Sequence, residues 1–588
     1  MIGKKILICL VASFMVVGSV AFAQEEASQE QDLEQRIEKL QQQVEELQEE
    51  QQEDTESLKE RVSQTERHTA ADKVELSVEM EPRLWSIHMQ NVRSSYGVLQ
   101  QAMPAIQDFQ DPAVSSPPYA FTAQQMQDIL QGKYSAQQIQ GMFQQYGTGI
   151  NSDYAQALAD LDDPPEVDAE NDAVRTLRFR LRMDSQVNEN LRFAGRLAAY
   201  KVWGDSVGIN FNRAGMQDVS MDGTTASNPH GNTIRLERAY FVYDNEIGQV
   251  PWYISVGRRP STEGPPLQYK KNLPAQGGSP MAHIINWEFD GASLHFDLSE
   301  VTGVPGADIK FCYGSAFESQ YGTTSAFLSE PATDDVDLYG VISDLYESYI
   351  FSLDTELKLT ANYAYAPDIT DGFTGLTVMP FTVKKTQSGT YTFEPNESLY
   401  VSRVEPTKEI GDWQAGTLLL QGNTMGGALD LFISGAWSHT EAENVSENPA
   451  YEMLGMSLLS SEGELEDHDG YSLYAGGRYN FANYGTKLGL EYNYGSKYWF
   501  NFTGAEDNLI GSKLATRGHV LEPYVVQNIS GEHFFLRLGA QLYDFEYSGS
   551  GNPLGEPKDV DEVTGMQTTL SPVIDRMQQY YLSAVYRF

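Results

Sequence analysis

The sequence predicts an all-β protein: a 16-stranded antiparallel transmembrane β-barrel with an N-terminal α-helical coiled coil. Three observations carry this. The chain ends on a strand, Tyr580 to Phe588. There Phe588, Tyr586, Ala584, Leu582 and Tyr580 form an apolar face with aromatic ends, and Arg587, Val585, Ser583 and Tyr581 form the other. A period of two is a strand with two different faces, and aromatic ends mark the interface girdles of a membrane barrel. Second, beyond Asp172 the chain repeats strand, short turn, strand, long polar loop. Third, a leader predicts export, and the residues after it hold no apolar run long enough for a membrane helix. Such a chain can cross a membrane only as a closed barrel.

Positions 1–23 read as a secretory signal peptide. Lys4 and Lys5 form its basic start, Ile6 to Val20 its apolar run, and Ala21-Phe22-Ala23 its cleavage site. Cleavage removes Cys9 and leaves Cys312 as the single cysteine. That excludes an internal disulfide, a thiol metal cluster and haem attached through C-x-x-C-H. Residues 24–70 are dominated by Glu and Gln. Leu33, Ile37, Leu40, Val44 and Leu47 make a heptad seam, which Gln51 and Asp54 weaken before Leu58 restores it. A periplasmic coiled coil and a homo-oligomer are expected. Ile37 and Val44 at one seam position, with Leu at the other, favour a dimer.

Short periplasmic turns and long outer loops distinguish the two ends of a bacterial barrel. Short turns join Val174–Asp184 to Leu191–Trp203, Thr233–Asp244 to Pro251–Arg259, and Gly291–Ser299 to Asp308–Phe317. They also join Tyr346–Leu353 to Thr355–Tyr365, Asp412–Leu420 to Gly427–Thr440, Gly470–Asn480 to Thr486–Tyr498, and Arg517–Asn528 to Glu532–Tyr547. With the closing strand the count is odd, and a closed barrel needs an even one. The missing strand is placed within Val74–Val92, where Val74, Leu76, Val78 and Met80 alternate, followed by Trp85, Ile87 and Met89. Pro82 inside it implies a bulge or an edge.

The barrel is thus expected over 71–588, with 93–173 as its first long connection. That insert carries two amphipathic helical patterns: Met126, Ile129 and Leu130 after Thr122, and Ile139, Met142, Phe143 and Tyr146 after Ser135. A lumenal plug and an outer cap both fit it, and a third reading, a periplasmic domain, would break the parity of the strand count. A soluble sandwich or propeller would not explain the alternating connection lengths.

Half of the arginines lie between Arg175 and Arg259, in a chain of net charge −42. In Thr176–Met183, Leu177, Phe179, Leu181 and Met183 share one face, and Arg178, Arg180 and Arg182 the other. An arginine at the lipid midplane costs about 2–4 kcal/mol, so these three face the lumen. Arg192 and Arg196 lie opposite Leu191, Phe193 and Leu197, and Arg259 lies opposite Trp252, Ile254 and Val256. Arg235 and Arg238 cannot both face inward without a bulge.

Two readings follow. The arginines form a basic ladder that favours anions, or they pair with Asp184, Glu237, Glu263, Glu288 or Asp290 and brace an inward-folded loop. The stretch 260–290 is the candidate constriction loop, with Gly264, Pro265, Pro266, Gly277 and Gly278, and with Lys270 and Lys271. The candidate pore-lining residues are therefore Arg178, Arg180, Arg182, Arg192, Arg196, Arg259, Glu263, Lys270 and Lys271.

Glu462, Glu464, Glu466, Asp467 and Asp469 read as solvated surface. Calcium or magnesium bridging to anionic lipid is the second reading of this block, but Leu465 spoils an EF-hand there, and no resident metal or cofactor is expected. His295 reads as a lone lumen-facing histidine. No phosphate loop, H-E-x-x-H or G-x-S-x-G motif occurs, so no enzyme is expected. The acidic balance gives no reason to expect nucleic acid.

The leader, the coiled coil, the hairpin LRFRLRMDSQVNENLRFAGRLAAYKVWGD, the segment SVGRRPSTEGPP and the aromatic C-terminus together resemble an uncharacterised family of porins of anaerobic Gram-negative bacteria. The resemblance spans about Val174 to Phe588. It implies a barrel in the outer membrane, surrounded by lipid, and a porin role with no established substrate and no catalytic residue. Porins are usually trimers, which sets a trimer above the dimer of the seam. The expected function is passive diffusion of small hydrophilic solutes with a modest anion preference. The alternative is a barrel sheath that holds a partner redox protein, with the electron carrier on that second chain.

Overall fold

The computed structural model describes residues 74–93, 120–121, 128, 133–145, 166–204, 218–219, 234–274, 279–319, 333–378, 381–387, 389, 391–395, 400–504, 506, 508–563 and 573–588. The chain divides into two units, Met1–Val74 and Glu75–Phe588. Residues 1–73, where the signal peptide and coiled coil are expected, lie outside the described residues.

Sixteen strands form a closed barrel. They are β1 Val74–Arg93, β2 Glu166–Gln186, β3 Leu191–Val202, β4 Ile234–Ile247, β5 Val250–Arg258 and β6 Asp290–Asp297. Then come β7 Asp308–Phe317, β8 Val336–Ile350, β9 Thr355–Thr370, β10 Glu409–Thr424 and β11 Leu429–Ala442. The last five are β12 His468–Phe481, β13 Thr486–Gly495, β14 Gly518–Ser530, β15 Phe534–Phe545 and β16 Arg576–Arg587. They follow one another round the barrel in chain order, and β1 closes it against β16, with Leu84 opposite Leu582. The strand required by parity is therefore β1, and it runs through Pro82.

β12 shows why an alternating sequence makes such a wall. Tyr471, Leu473, Tyr479 and Phe481 are exposed outward, while Ser472 and Tyr474 are buried inward. Tyr471 to Phe481 spans roughly 33 Å along a strand. At the tilt of about 40° usual for such barrels, that is about 25 Å, the height of the apolar band of a membrane barrel. The same outward pattern recurs in Leu418 and Leu420, Leu431 and Ile433, Leu488 and Leu490, Leu538, and Leu582. On β2, Phe179 is exposed outward and Arg178 and Arg180 are buried inward.

Two strands start eight or more residues earlier than their alternation predicts. β2 begins at Glu166, inside the expected connection 93–173, and its first residues, 166–173, are all exposed. A strand with water on both faces leaves no period-two signal. β8 begins at Val336, not Tyr346. There Val336, Leu338 and Ile342 are buried against the lumen while Tyr339 and Leu345 are exposed outside. Both faces are apolar, so the alternation disappears.

Within the insert, α1 Ala136–Gln145 follows Ser135 as expected. The Ser135 amide donates to Gln138 Oε1 at 2.8 Å, the Gln138 amide returns a bond to Ser135 Oγ, and Ile139 is fully buried. The other expected helix, around Met126, Ile129 and Leu130, lies outside the described residues. Long connections also bond to one another: the Leu459 amide donates to Pro553 O, and that of Gly555 to Ser457 O. Glu462, Glu464, Glu466, Asp467 and Asp469 are all exposed.

Candidate functional site in the barrel lumen

β2 runs from a long connection to a short turn, and its inward arginines lie at successive depths. Arg178 and Arg180 are buried. Arg182, near the turn, is exposed and pairs with Asp184 at 2.5 Å. Arg192, just beyond the same turn, is also exposed. The expected ladder thus divides into a buried part and a mouth.

The buried part is a continuous ion network. Arg178 meets Glu79 at 2.5 Å and Glu81 at 2.7 Å, both on β1. Arg180 meets Glu237 at 2.6 Å and Glu263 at 2.7 Å. Arg196 meets the other oxygens of the same two carboxylates, at 2.5 and 2.9 Å. Arg83 and Arg537 add to Glu81, and Arg587 to Glu79. Among these groups the cations outnumber the carboxylates.

The open question over Arg235 and Arg238 is answered by register. Arg196 stands opposite Arg238 and Leu197 opposite Leu236, so Glu237 is the extra residue of a β-bulge in β4. Leu236 remains exposed outside. Glu237 turns inward, and Arg238 Nη2 reaches Thr262 and Glu263, so Arg238 also faces the lumen.

Glu263 is the hub through which the loop joins this wall. Its φ of +62° is left-handed, which a non-glycine residue adopts only at a cost of about 1–3 kcal/mol. Its carboxylate receives Arg180, Arg196 and Lys271, the last at 3.2 Å. Burial alone would raise the carboxyl pKa. Arg180, Lys271, Arg196 and Arg238 override burial and hold it well below the usual carboxylate range. The next residue must be glycine, because a Cβ on Gly264 would stand 1.9 Å from Pro280 O, where the two limbs of the loop touch.

The short helix α2 Gln268–Lys271 carries the other two expected cations across the lumen. Lys270 is buried and meets Glu506 at 2.6 Å and Glu522 at 3.2 Å. Lys513 pairs with Glu491 and Glu522. Both expected lysines are therefore ion-paired. Gly277 and Gly278 lie outside the described residues. Arg259 is buried too, but among the described residues its side chain donates only to Ser255 Oγ, at 2.5 Å. His295 is not alone: it stacks on Tyr253 and meets Asp308 at 3.1 Å.

Beyond Ser279 the loop grips the opposite wall by neutral contacts. The Met281 amide donates to Asn362 Oδ1 at 3.0 Å. His283 bonds Ser434 and Ser472 through its two ring nitrogens, each at 2.8 Å. Burial pushes the His283 pKa down to about 3, so the ring is neutral at pH 7.

A second connection, residues 496–517, folds inward to meet this limb. The Asn286 amide donates to Phe502 O at 2.7 Å, and the Phe502 amide to Ile284 O at 3.0 Å. Trp499, Phe500 and Phe502 are fully buried, and Phe502 meets Trp413 edge to face at 4.5 Å.

Sequence reasoning missed Glu79, Glu81 and this second loop. The two glutamates share the inward face of β1 with Arg83 and Trp85, opposite Met80 and Leu84. The facing rule applied to β2 would have found them. For the second loop the available signal was the aromatic run Tyr498-Trp499-Phe500-Asn501-Phe502 in a connection otherwise polar.

Residues 168–588 match the family described as "Protein of unknown function (DUF3373)". The chain belongs to that family. No curated protein matches it. Among solved structures it is similar to OprB of Pseudomonas putida, at 9% identity and a TM-score of 0.39, covering 89% of this chain and 96% of that one. It is similar to an anion-selective porin from Comamonas acidovorans, at 9% and 0.37, covering 88% and 99%. It is also similar to the trimer form of OmpT, an outer membrane protein of Vibrio cholerae, at 10% and 0.35, covering 88% and 99%. Likeness at this level fixes no residue of the lumen.

Proposed function

We propose that this DUF3373 member is an outer-membrane porin for passive diffusion of small hydrophilic solutes, with a modest anion preference, working as a homo-oligomer of three subunits in lipid. The observation that carries the reading is the division of faces in a closed 16-stranded barrel. Outside is an apolar belt with aromatic rims; inside are paired charges, hydroxyls and amides. In water such a belt would be an exposed apolar patch far larger than soluble proteins carry. In hydrocarbon it is the required surface.

Loop 260–289, folded across the lumen, supports a narrowed pore, and the excess of arginine and lysine around Glu79, Glu81, Glu237 and Glu263 supports the anion preference. Two loops already occupy the lumen at this level. That counts against the alternative, a sheath around a folded redox partner. Planar-bilayer recording tests the proposal. Discrete conductance steps, with a reversal potential of anionic sign in a KCl gradient, are expected. Folded, reconstituted protein that gives no steps would refute the porin reading, and firm cation selectivity would refute the preference.

A further inference from the structure

We infer that the lumen holds a binding site for a small monocarboxylate with an apolar body, built around Arg259. A space of about 530 Å³, part of it open to solvent, lies between the wall strands β6–β9 and the loop limb 280–289. Of that, about 50 Å³ admits the centre of a water-sized body, room for a few heavy atoms, and the remainder opens to solvent. Its walls are mainly apolar: Pro280, Ile285, Phe289, Leu338 and Ile342. Among the described residues Arg259 is the one charged residue that lines it.

The oxygen and nitrogen groups around the space are committed, with the exception of Arg259; the Cys312 thiol beside them is free and is a weak hydrogen-bonding group. Asn362 accepts from the Met281 amide and donates to Val341 O and Tyr363 O. Ser261 Oγ donates to Trp287 O. Arg259 Nε donates to Ser255, but among the described residues no carboxylate lies within ion-pair distance of its guanidinium. The residue is nonetheless only 9% exposed.

Elsewhere in this lumen the buried arginines have carboxylates, or at Arg517 four backbone carbonyls, as buried charges require. Arg259 differs because its Nη donors face a cavity. A guanidinium fork is shaped for two parallel bonds to a carboxylate. The walls around it favour carbon over water. Together they select an anion whose charge is at one end and whose body is an aromatic ring or short alkyl chain.

The wall also shows why the space exists. Gly340 lies on the inward face of β8, opposite Cys312. A Cβ there would meet only ordinary contacts, Tyr363 O at 3.5 Å and Cys312 Cβ at 3.6 Å. A larger side chain at 340 would therefore enter the cavity without displacing the backbone.

The site deepens the porin reading and rests on it for its role in transport, but binding can be measured without transport. Titration calorimetry of the purified full-length protein in detergent, at constant ionic strength, would use benzoate as the probe and benzyl alcohol as its neutral counterpart. Saturable benzoate binding is expected, with none for benzyl alcohol. Arg259→Met should weaken benzoate binding about tenfold or more, the scale of a lost charged hydrogen-bond pair, and Arg259→Lys should weaken it less. Gly340→Leu, which keeps the guanidinium and fills the space, should abolish it; heat-modifiable gel mobility checks that each variant folds. Benzoate affinity unchanged in Arg259→Met and Gly340→Leu, or no saturable binding to the wild type, would overturn the site. Conductance without benzoate binding overturns the site and leaves the porin; binding without conductance does the reverse.

Discussion

The two walls that hold loop 260–289 do so by different chemistry. On the β1–β4 side Glu263 is gripped by Arg180, Arg196 and Arg238. On the β9–β12 side His283 and Met281 are held by Ser434, Ser472 and Asn362, with Trp413 against Phe502 behind them. A buried ionic grip fails abruptly when one partner is removed, because the remaining charges are stranded. A neutral grip fails by increments, one cavity or hydrogen bond at a time. The loop is therefore clamped firmly at its first limb and adjustably at its second.

The largest effect is expected at the ionic side. Glu263→Ala strands several buried cations and should cost about 3–5 kcal/mol. It should free the loop, which single-channel recording would register as a larger and noisier conductance. An unchanged conductance would mean that Glu263 does not hold the constriction. At the neutral side, Phe502→Ala should cost about 3 kcal/mol, read as faster hydrogen exchange over 279–289 with the barrel strands unaffected.

Acid should act on the neutral side first. His283 has a pKa of about 3 when buried and an ordinary value near 6.5 when released. The released form binds the extra proton, so stability falls as pH drops below about 6.5. By pH 5 the loss is about 2 kcal/mol. Hydrogen exchange at 279–289 should therefore rise between pH 7.5 and 5, and His283→Gln should remove that rise. The Glu263 carboxyl is already depressed, so its contribution should persist until pH falls well below the ordinary carboxylate range. The smallest effect is expected at the mouth. Arg182 is exposed and, among the described residues, paired with Asp184 alone, so Arg182→Gln should change stability by no more than about 0.5 kcal/mol.

What was legible in the sequence follows from the same contrast. The wall could be counted, because a strand with lipid on one side and water on the other alternates, and because connection length reports direction. Arg178 and Arg180 could be aimed inward by the cost of charge in hydrocarbon. Their partners were harder to assign. Glu237 reaches the lumen through a bulge that no period reveals, and Lys270 finds Glu506 and Glu522 hundreds of residues away. β8 lost its first turns to the reading because inward apolar residues there meet a loop instead of water.

Which face of the wall touches hydrocarbon decides both the membrane barrel and the pore. Spin labels placed at Leu431, Leu473 and Tyr484 in proteoliposomes, probed with oxygen and a water-soluble nickel chelate, measure this directly. Labels at Leu431 and Leu473 should collide more with oxygen, and one at Tyr484, beside a short turn, more with the chelate. Ready access of the chelate to Leu431 and Leu473 would contradict the membrane barrel and, with it, the pore.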